Sequence, residues 1–221
     1  TRTHSSRATG HVAVVDPTGD LPASRATTLP ACVTVLGHGH APATPTTLRA
    51  RLAQHPRQLT IVGHIRPGSD DDPASSALLL ASDVDGDGTL AVEDLGGLRV
   101  PPACVLLGCD GAGAATGNEW VGPVTGLIWG GARWLVATTG PVLEDRWTAV
   151  ADSELLASIE NHRPFDGLWR WQRTMAVRMR SGIPMPSTRP YRWGMTIATG
   201  VGSRSRAGAA GTERNDVSDG D

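Results

Sequence analysis

The chain has 221 residues and a mass of 23.1 kDa, with 39% hydrophobic residues, 27 Gly and 16 Pro; this fits one domain with a core, argues against a second full domain and excludes a fully disordered chain. All 20 basic residues are Arg, the net charge is -2, and no segment concentrates them, which excludes the electrostatic footprint of a nucleic-acid binder. The longest apolar stretch, residues 124–143, is broken by Arg133 and by glycines, so no membrane span is expected.

Three cysteines, an odd number, argue against a disulfide framework and for a reducing, cytoplasmic compartment with at least one thiol free to react. The first residue is Thr, and no charged segment followed by an apolar one succeeds it. The start therefore reads as a cut from something longer and not as a secretion signal.

Residues 1–10 are polar and expected to be flexible. His11 to Asp16 (HVAVVD) predicts a strand that stops at the turn signal Asp16-Pro17-Thr18-Gly19. Leu48 and Leu52, at i and i+4, predict an amphipathic helix over 47–55 begun near Thr44-Pro45, which feeds a strand over Leu59 to Val62 ending at Gly63-His64. A Pro/Asp-rich loop spans 67–73. The segments 77–81 and 90–92 flank a turn over 83–88, and 103–108 (ACVLLG) is a continuous apolar run of the kind buried on both sheet faces, delivering Cys109 at its end. Helices follow over 122–129, 147–160 and 168–179, with strands at 134–137 and 193–198. From Ser203 the Gly/Ser/Arg/Asp tail has too little apolar surface to fold. Strands alternating with helices imply an α/β fold with a mostly parallel sheet covered on both faces.

In such a sheet, residues just beyond the C-terminal strand ends converge on the ligand crevice. Two of these ends present His64 and Cys109, a nucleophile and its candidate base, since a thiol is only a few per cent thiolate near neutral pH and needs an imidazole to take its proton. Gly63, Gly108, Gly111 and Gly113 permit close backbone approach and leave amides for an oxyanion. Other readings compete for notable residues. Gly37-His38-Gly39-His40 reads as a glycine-rich loop with no Cys or Asp at metal-ligand spacing. Asp83, Asp85, Asp87, Gly88, Thr89, Leu90 and Asp94 fall at positions 1, 3, 5, 6, 7, 8 and 12 of a calcium loop. Against that site, Asp stands where the twelfth position takes Glu, and Gly96, Gly97 and Pro101-Pro102 should prevent an exiting helix. Cys104 and Cys32 read as small buried hydrophobes, and Trp120 and Trp169 as candidates for exposed docking residues.

Over most of its length the chain resembles the CHAT domain, a caspase-like cysteine peptidase domain. The resemblance is carried by Asp16 to Ser24 (DPTGDLPAS), Ala43 to His64 (ATPTTLRARLAQHPRQLTIVGH), Val105 to Thr116 (VLLGCDGAGAAT), Gly126 to Val142 (GLIWGGARWLVATTGPV), Gln172, and Pro190 to Gly200 (PYRWGMTIATG). It implies a caspase-like three-layer sandwich over 11–202, with His64 and Cys109 as the catalytic pair and a hairpin turn at the calcium-like segment. The 45 residues from His64 to Cys109 agree with the caspase spacing of roughly 50. The backbone amides of Ile65 and Cys109 are the oxyanion candidates, and Asp110, Glu144 and Asp145 are candidates for a pocket that takes a basic residue before the scissile bond (P1). Ile65 stands where the family has Gly, and Gly140 where it has Trp.

The expected function is a cysteine endopeptidase acting on protein or peptide substrates without metal or organic cofactor, with a fused or separate sensor or repeat domain as a further expected partner. The alternative is a catalytically inactive caspase-like interaction module regulated by a sensor partner.

Overall fold

A sheet of parallel strands is stable only when helices cover both faces, and its strands are then apolar on both sides. In the computed structural model, which describes residues 10–21, 29, 33–37, 39–69, 71–84, 86–109, 114–116, 119–142, 145–160, 164–182 and 196–200, the apolar runs of this chain form such a sheet. The described elements are β1 (His11–Val15), β2 (Val33–Leu36), α1 (Pro45–Leu52), β3 (Gln58–Val62), β4 (Ile65–Arg66), β5 (Ala77–Leu79), β6 (Thr89–Ala91), α2 (Val92–Gly96), β7 (Ala103–Leu107), β8 (Ala114–Thr116), β9 (Glu119–Val121), α3 (Pro123–Trp129), β10 (Trp134–Thr138), α4 (Arg146–Glu160), α5 (Pro164–Arg180) and β11 (Thr196–Gly200).

The main sheet has the order β11-β10-β7-β3-β1-β2, parallel throughout except for the edge strand β11. Side chains alternate between its faces. Val12, Val14, Leu59, Ile61, Cys104, Leu106, Leu135 and Ala137 pack with Leu48 and Leu52 of α1, Leu95 of α2, and Val124 and Leu127 of α3. On the other face Val62, Val105, Leu107 and Val136 meet Leu155, Leu156 and Ile159 of α4 and Leu168, Trp171 and Met175 of α5. Helix, sheet and helix make the three layers of a caspase-like α/β fold.

Local chemistry explains the entries to these elements. Pro45 at the start of α1 has no N–H to leave unpaired, and Thr44 and Thr47 exchange hydrogen bonds, each hydroxyl accepting the other's backbone N–H at 3.2 and 2.9 Å. Asp145 caps α4, its Oδ1 accepting the N–H groups of Trp147 and Thr148 at 3.0 and 2.9 Å. Gln172 of α5 donates from Nε2 to the Thr196 carbonyl at 2.8 Å, tying the helix to β11.

The structure corrects the sequence reading at several elements. β2 is a parallel edge strand that the sequence did not announce, because Thr34 is exposed and Val33 and Val35 are only half-buried, so no run of buried residues marks it. His64 does not end the chain's extended path: Ile65 and Arg66 form β4, which joins β5 and β6 in a second, antiparallel sheet. The β8–β9 hairpin is also additional. Gly96 and Gly97 shorten the helix after the calcium-like segment to the five residues of α2 but do not prevent it. The first helix ends at Leu52, short of His55. Of the last predicted strand, Trp193 lies outside the described residues and the strand runs from Thr196 to Gly200. The flexible start (save Gly10) and the unfolded tail from Ser203 were expected for residues that also lie outside.

Two glycines are dictated by close approach. Gly37 turns the chain after β2 with φ +83°, and a Cβ there would collide with the Val15 carbonyl oxygen. Gly108 follows β7, and its Cβ would collide with the carbonyl oxygen of Gly63 at the end of β3. Gly108→Ala should therefore push the ends of β3 and β7 apart, at a cost of about 1–3 kcal/mol and roughly 2–4 °C of Tm per kcal/mol. Calorimetry of the variant checks this, and an unchanged Tm refutes it.

Candidate active site

The register of two neighbouring strands places His64 and Cys109 just beyond adjacent strand ends. Val62 of β3 pairs with Leu107 of β7, and Gly63 N–H donates to the Leu107 carbonyl at 3.2 Å. One residue further, Gly63 and Gly108 abut without side chains. His64 and Cys109 come next, each two residues past a register pair on strands roughly 4.8 Å apart.

The thiol is half-buried and held by backbone. Cys109 Sγ accepts the Val142 N–H at 3.3 Å and faces the Val142 carbonyl at 3.7 Å, in the loop that leaves β10. The same strand braces the residue before it: the buried Thr138 hydroxyl donates to the Gly108 carbonyl, and the Gly108 N–H lies 3.4 Å from Thr138 Oγ1. Cys104, by contrast, is buried in the core, where burial pushes its thiol pKa up.

His64 is anchored by its carbonyl, which accepts the Leu79 N–H of β5 at 3.1 Å. Its Nε2 lies 3.0 Å from Oδ1 of Asp20, and the two side chains are 25% and 65% exposed. Asp20 reaches this place through the turn after β1. Asp16, at φ +46°, donates its N–H to the Val62 carbonyl at 2.9 Å, accepts the Gly19 N–H on its own carbonyl at 3.2 Å and accepts the Leu21 N–H on its carboxylate at 3.0 Å. The Thr18 hydroxyl then donates to Asp20 Oδ1. That hydroxyl first, and the charge of His64 after it, outweigh desolvation and hold the Asp20 carboxyl below its usual range. A carboxyl displaced in this direction stays ionised as pH falls through the ordinary carboxylate range near 3.9, so Asp20 is an anion throughout the neutral region.

The other candidates are distributed as follows. Ile65 is buried on β4, and its Cδ1 would lie 3.2 Å from a Cβ at Gly108. Asp145 is engaged as the cap of α4; Asp110 and Glu144 lie outside the described residues, as do Gly111 and Gly113. In the calcium-like segment, Asp83, Asp87 and Asp94 line one shallow cavity of about 340 Å³, but their carboxylates accept different backbone N–H groups: Thr46 at 3.0 Å, Thr89 at 2.9 Å and Ala91 at 3.1 Å. Asp85 lies outside the described residues, and among those described no three His, Cys, Asp or Glu side chains are gathered for a metal ion. His40 follows the Gly37 turn and lines a cavity of about 400 Å³ with Asp16, Thr18 and Leu21; His38 and Cys32 are not among the described residues. Trp169 is exposed on α5; the side chain of Trp120 is not among those described. No described helix is long and apolar enough to cross a membrane.

Asp20, Thr138 and Val142 were not singled out from the sequence. The available signal for Asp20 was its position one residue past the Asp16-Pro17-Thr18-Gly19 turn. Thr138 and Val142 act through contacts 30 and 33 residues away along the chain, for which no local pattern exists.

Among curated proteins none matches this sequence. The family model of the CHAT domain matches residues 12–201, a span that contains β1 from Val12, every described element from β2 to β11, and the residues His64 and Cys109. The chain belongs to the CHAT domain family.

Proposed function

We propose that the chain is a cysteine endopeptidase with Cys109 as nucleophile and His64 as general base and acid. The observation that supports this best is the juncture of β3 and β7, where an imidazole and a half-buried thiol follow adjacent strand ends in register. His64 takes the Cys109 proton as Sγ attacks the scissile carbonyl carbon, and the carbonyl electron pair moves to oxygen. The backbone amides of Ile65 and Cys109 are proposed as donors to that oxyanion. As the tetrahedral intermediate collapses, the C–N bond breaks and the amine leaves with the proton from His64. Water then gives a proton to His64 and its oxygen to the thioester carbon, and as the C–S bond breaks the proton returns from His64 to Sγ, restoring the thiol.

The acidic residues close to Cys109 and Val142 in sequence that are not engaged in a helix cap, Asp110 and Glu144, favour a basic P1 side chain. Protein substrates, and control by a fused or separate sensor domain, belong to the same proposal. A second reading, an inactive caspase-like interaction module, draws on Ile65: a buried β-branched residue packs beside Gly108 where the family pattern has Gly.

Peptidyl electrophiles with basic, acidic or apolar P1 residues, read by intact mass, decide between the two. The peptidase should give one adduct, strongest with basic P1, absent in Cys109→Ala and slowed by a factor of about 10²–10⁴ in His64→Ala. Labelling confined to acidic P1 overturns the specificity, and a folded protein that takes no adduct overturns the activity.

Small alkylating agents test the thiols separately. Because burial raises the thiol pKa of Cys104 and the core encloses it, iodoacetamide at neutral pH should modify Cys109 and leave Cys104 untouched until the chain is unfolded. Peptide mapping reads the two sites, and equal modification in the native state refutes the expected difference.

A further inference from the structure

We infer that Asp20 is a positioning residue for His64, a carboxylate on the turn after β1 that holds the imidazole at Nε2 while the thiol gives up its proton. The inference rests on the proposed roles of His64 and Cys109 and extends them to a third side chain.

Three observations converge on it. The first is sheet order: β7, β3 and β1 are consecutive neighbours, so Cys109, His64 and Asp20 emerge from three adjacent strands on the same rim. The second is the contact itself, an ion-pair approach of 3.0 Å between Nε2 and Oδ1 that lacks hydrogen-bond alignment. A carboxylate beside one ring nitrogen favours the proton on that nitrogen and leaves Nδ1 to exchange protons. The third is that the carboxylate is itself held. Thr18 donates to it, and Thr18 and Asp20 stand on a turn that Asp16 secures through the Val62 carbonyl, the last residue of β3, two positions before His64. Asp20 is therefore placed relative to the same strand end that carries its partner.

The chemistry follows from charge. Proton transfer from Cys109 to His64 creates an imidazolium beside a thiolate, and an anion at Nε2 lowers the energy of that pair. Because Asp20 is 65% exposed, the gain is that of a solvated ion pair and not of a buried one. About fivefold in the rate of thiol attack is the scale of such a contact.

The test uses iodoacetamide, a probe that needs no substrate recognition, on the whole chain. Asp20→Ala should slow alkylation of Cys109 about fivefold at neutral pH and low salt, and Asp20→Glu should recover part of the loss. In a His64→Ala background Asp20→Ala should change nothing further, since its effect passes through the imidazole. In parallel, the ¹⁵N shifts of His64, assigned with His64→Ala, should lose the Nε2–H tautomer bias in Asp20→Ala. An unchanged rate and unchanged shifts overturn the inference, and so does an equal slowing with and without His64, which would mark a purely structural loss. Thr18→Val, which keeps the carboxylate but removes its hydroxyl donor, should give a smaller slowing of the same kind. None of these readouts requires peptide cleavage. Failure of the peptidyl electrophiles therefore counts against the peptidase reading, and failure of the iodoacetamide cycle counts against the role of Asp20.

Discussion

The structure depends on one constraint, the parallel register of β3 against β7 carried one residue beyond the ladder. Gly63 and Gly108 meet there so closely that neither strand end has room for a side chain at Gly108. The contact fixes where the following residues start and thereby sets His64 and Cys109 at neighbouring strand ends. The flanking strands complete the arrangement. On one side β1 ends in the Asp16 turn, which is bonded to the last residue of β3. On the other, β10 supplies Thr138 against Gly108 and leads into the Val142 backbone that holds the thiol. Four neighbouring strands, with the β5 backbone that holds the His64 carbonyl, thus place the site, and among the described residues none of these holding contacts comes from a helix side chain.

The helices make that register stiff. Each of the central strands alternates between two apolar clusters, one under α1, α2 and α3 and one under α4 and α5, so a slip by one residue would exchange every buried side chain between faces. Core packing distant from the thiol therefore contributes to its placement.

The sequence made the buried centre of the fold legible and its edges much less so. Strands such as 103–107 stand out because both faces are covered, and Cys109 and His64 were found because they follow such runs. β2 and β4 carry too few buried residues to show a period, and α2 is one turn long, below the length at which periodicity is visible. The carboxylates were the hardest to assign. Asp83, Asp87, Asp94 and Asp145 all sit among acidic neighbours that suggest ligation or substrate binding, yet each accepts backbone N–H groups that a turn or helix start leaves unpaired. Asp20 is the converse case. Its backbone setting is that of an ordinary turn residue, and its approach to His64 arises only when β1 is laid beside β3, a pairing across the Asp16 to His64 interval that no short-range pattern encodes.

Because the sheet is parallel, its strands also share a starting rim, opposite the one that carries the thiol. There the segments that precede β3, β7 and β10 enclose a cavity of about 520 Å³, with His55, Arg99 and Arg133 at its walls between Pro56, Pro101 and Pro102. Neither His64, Cys109 nor Asp20 lines that cavity. A surface-bound version of the chain tethered through a single reactive residue introduced in place of the exposed Arg133 would turn its thiol rim away from the support.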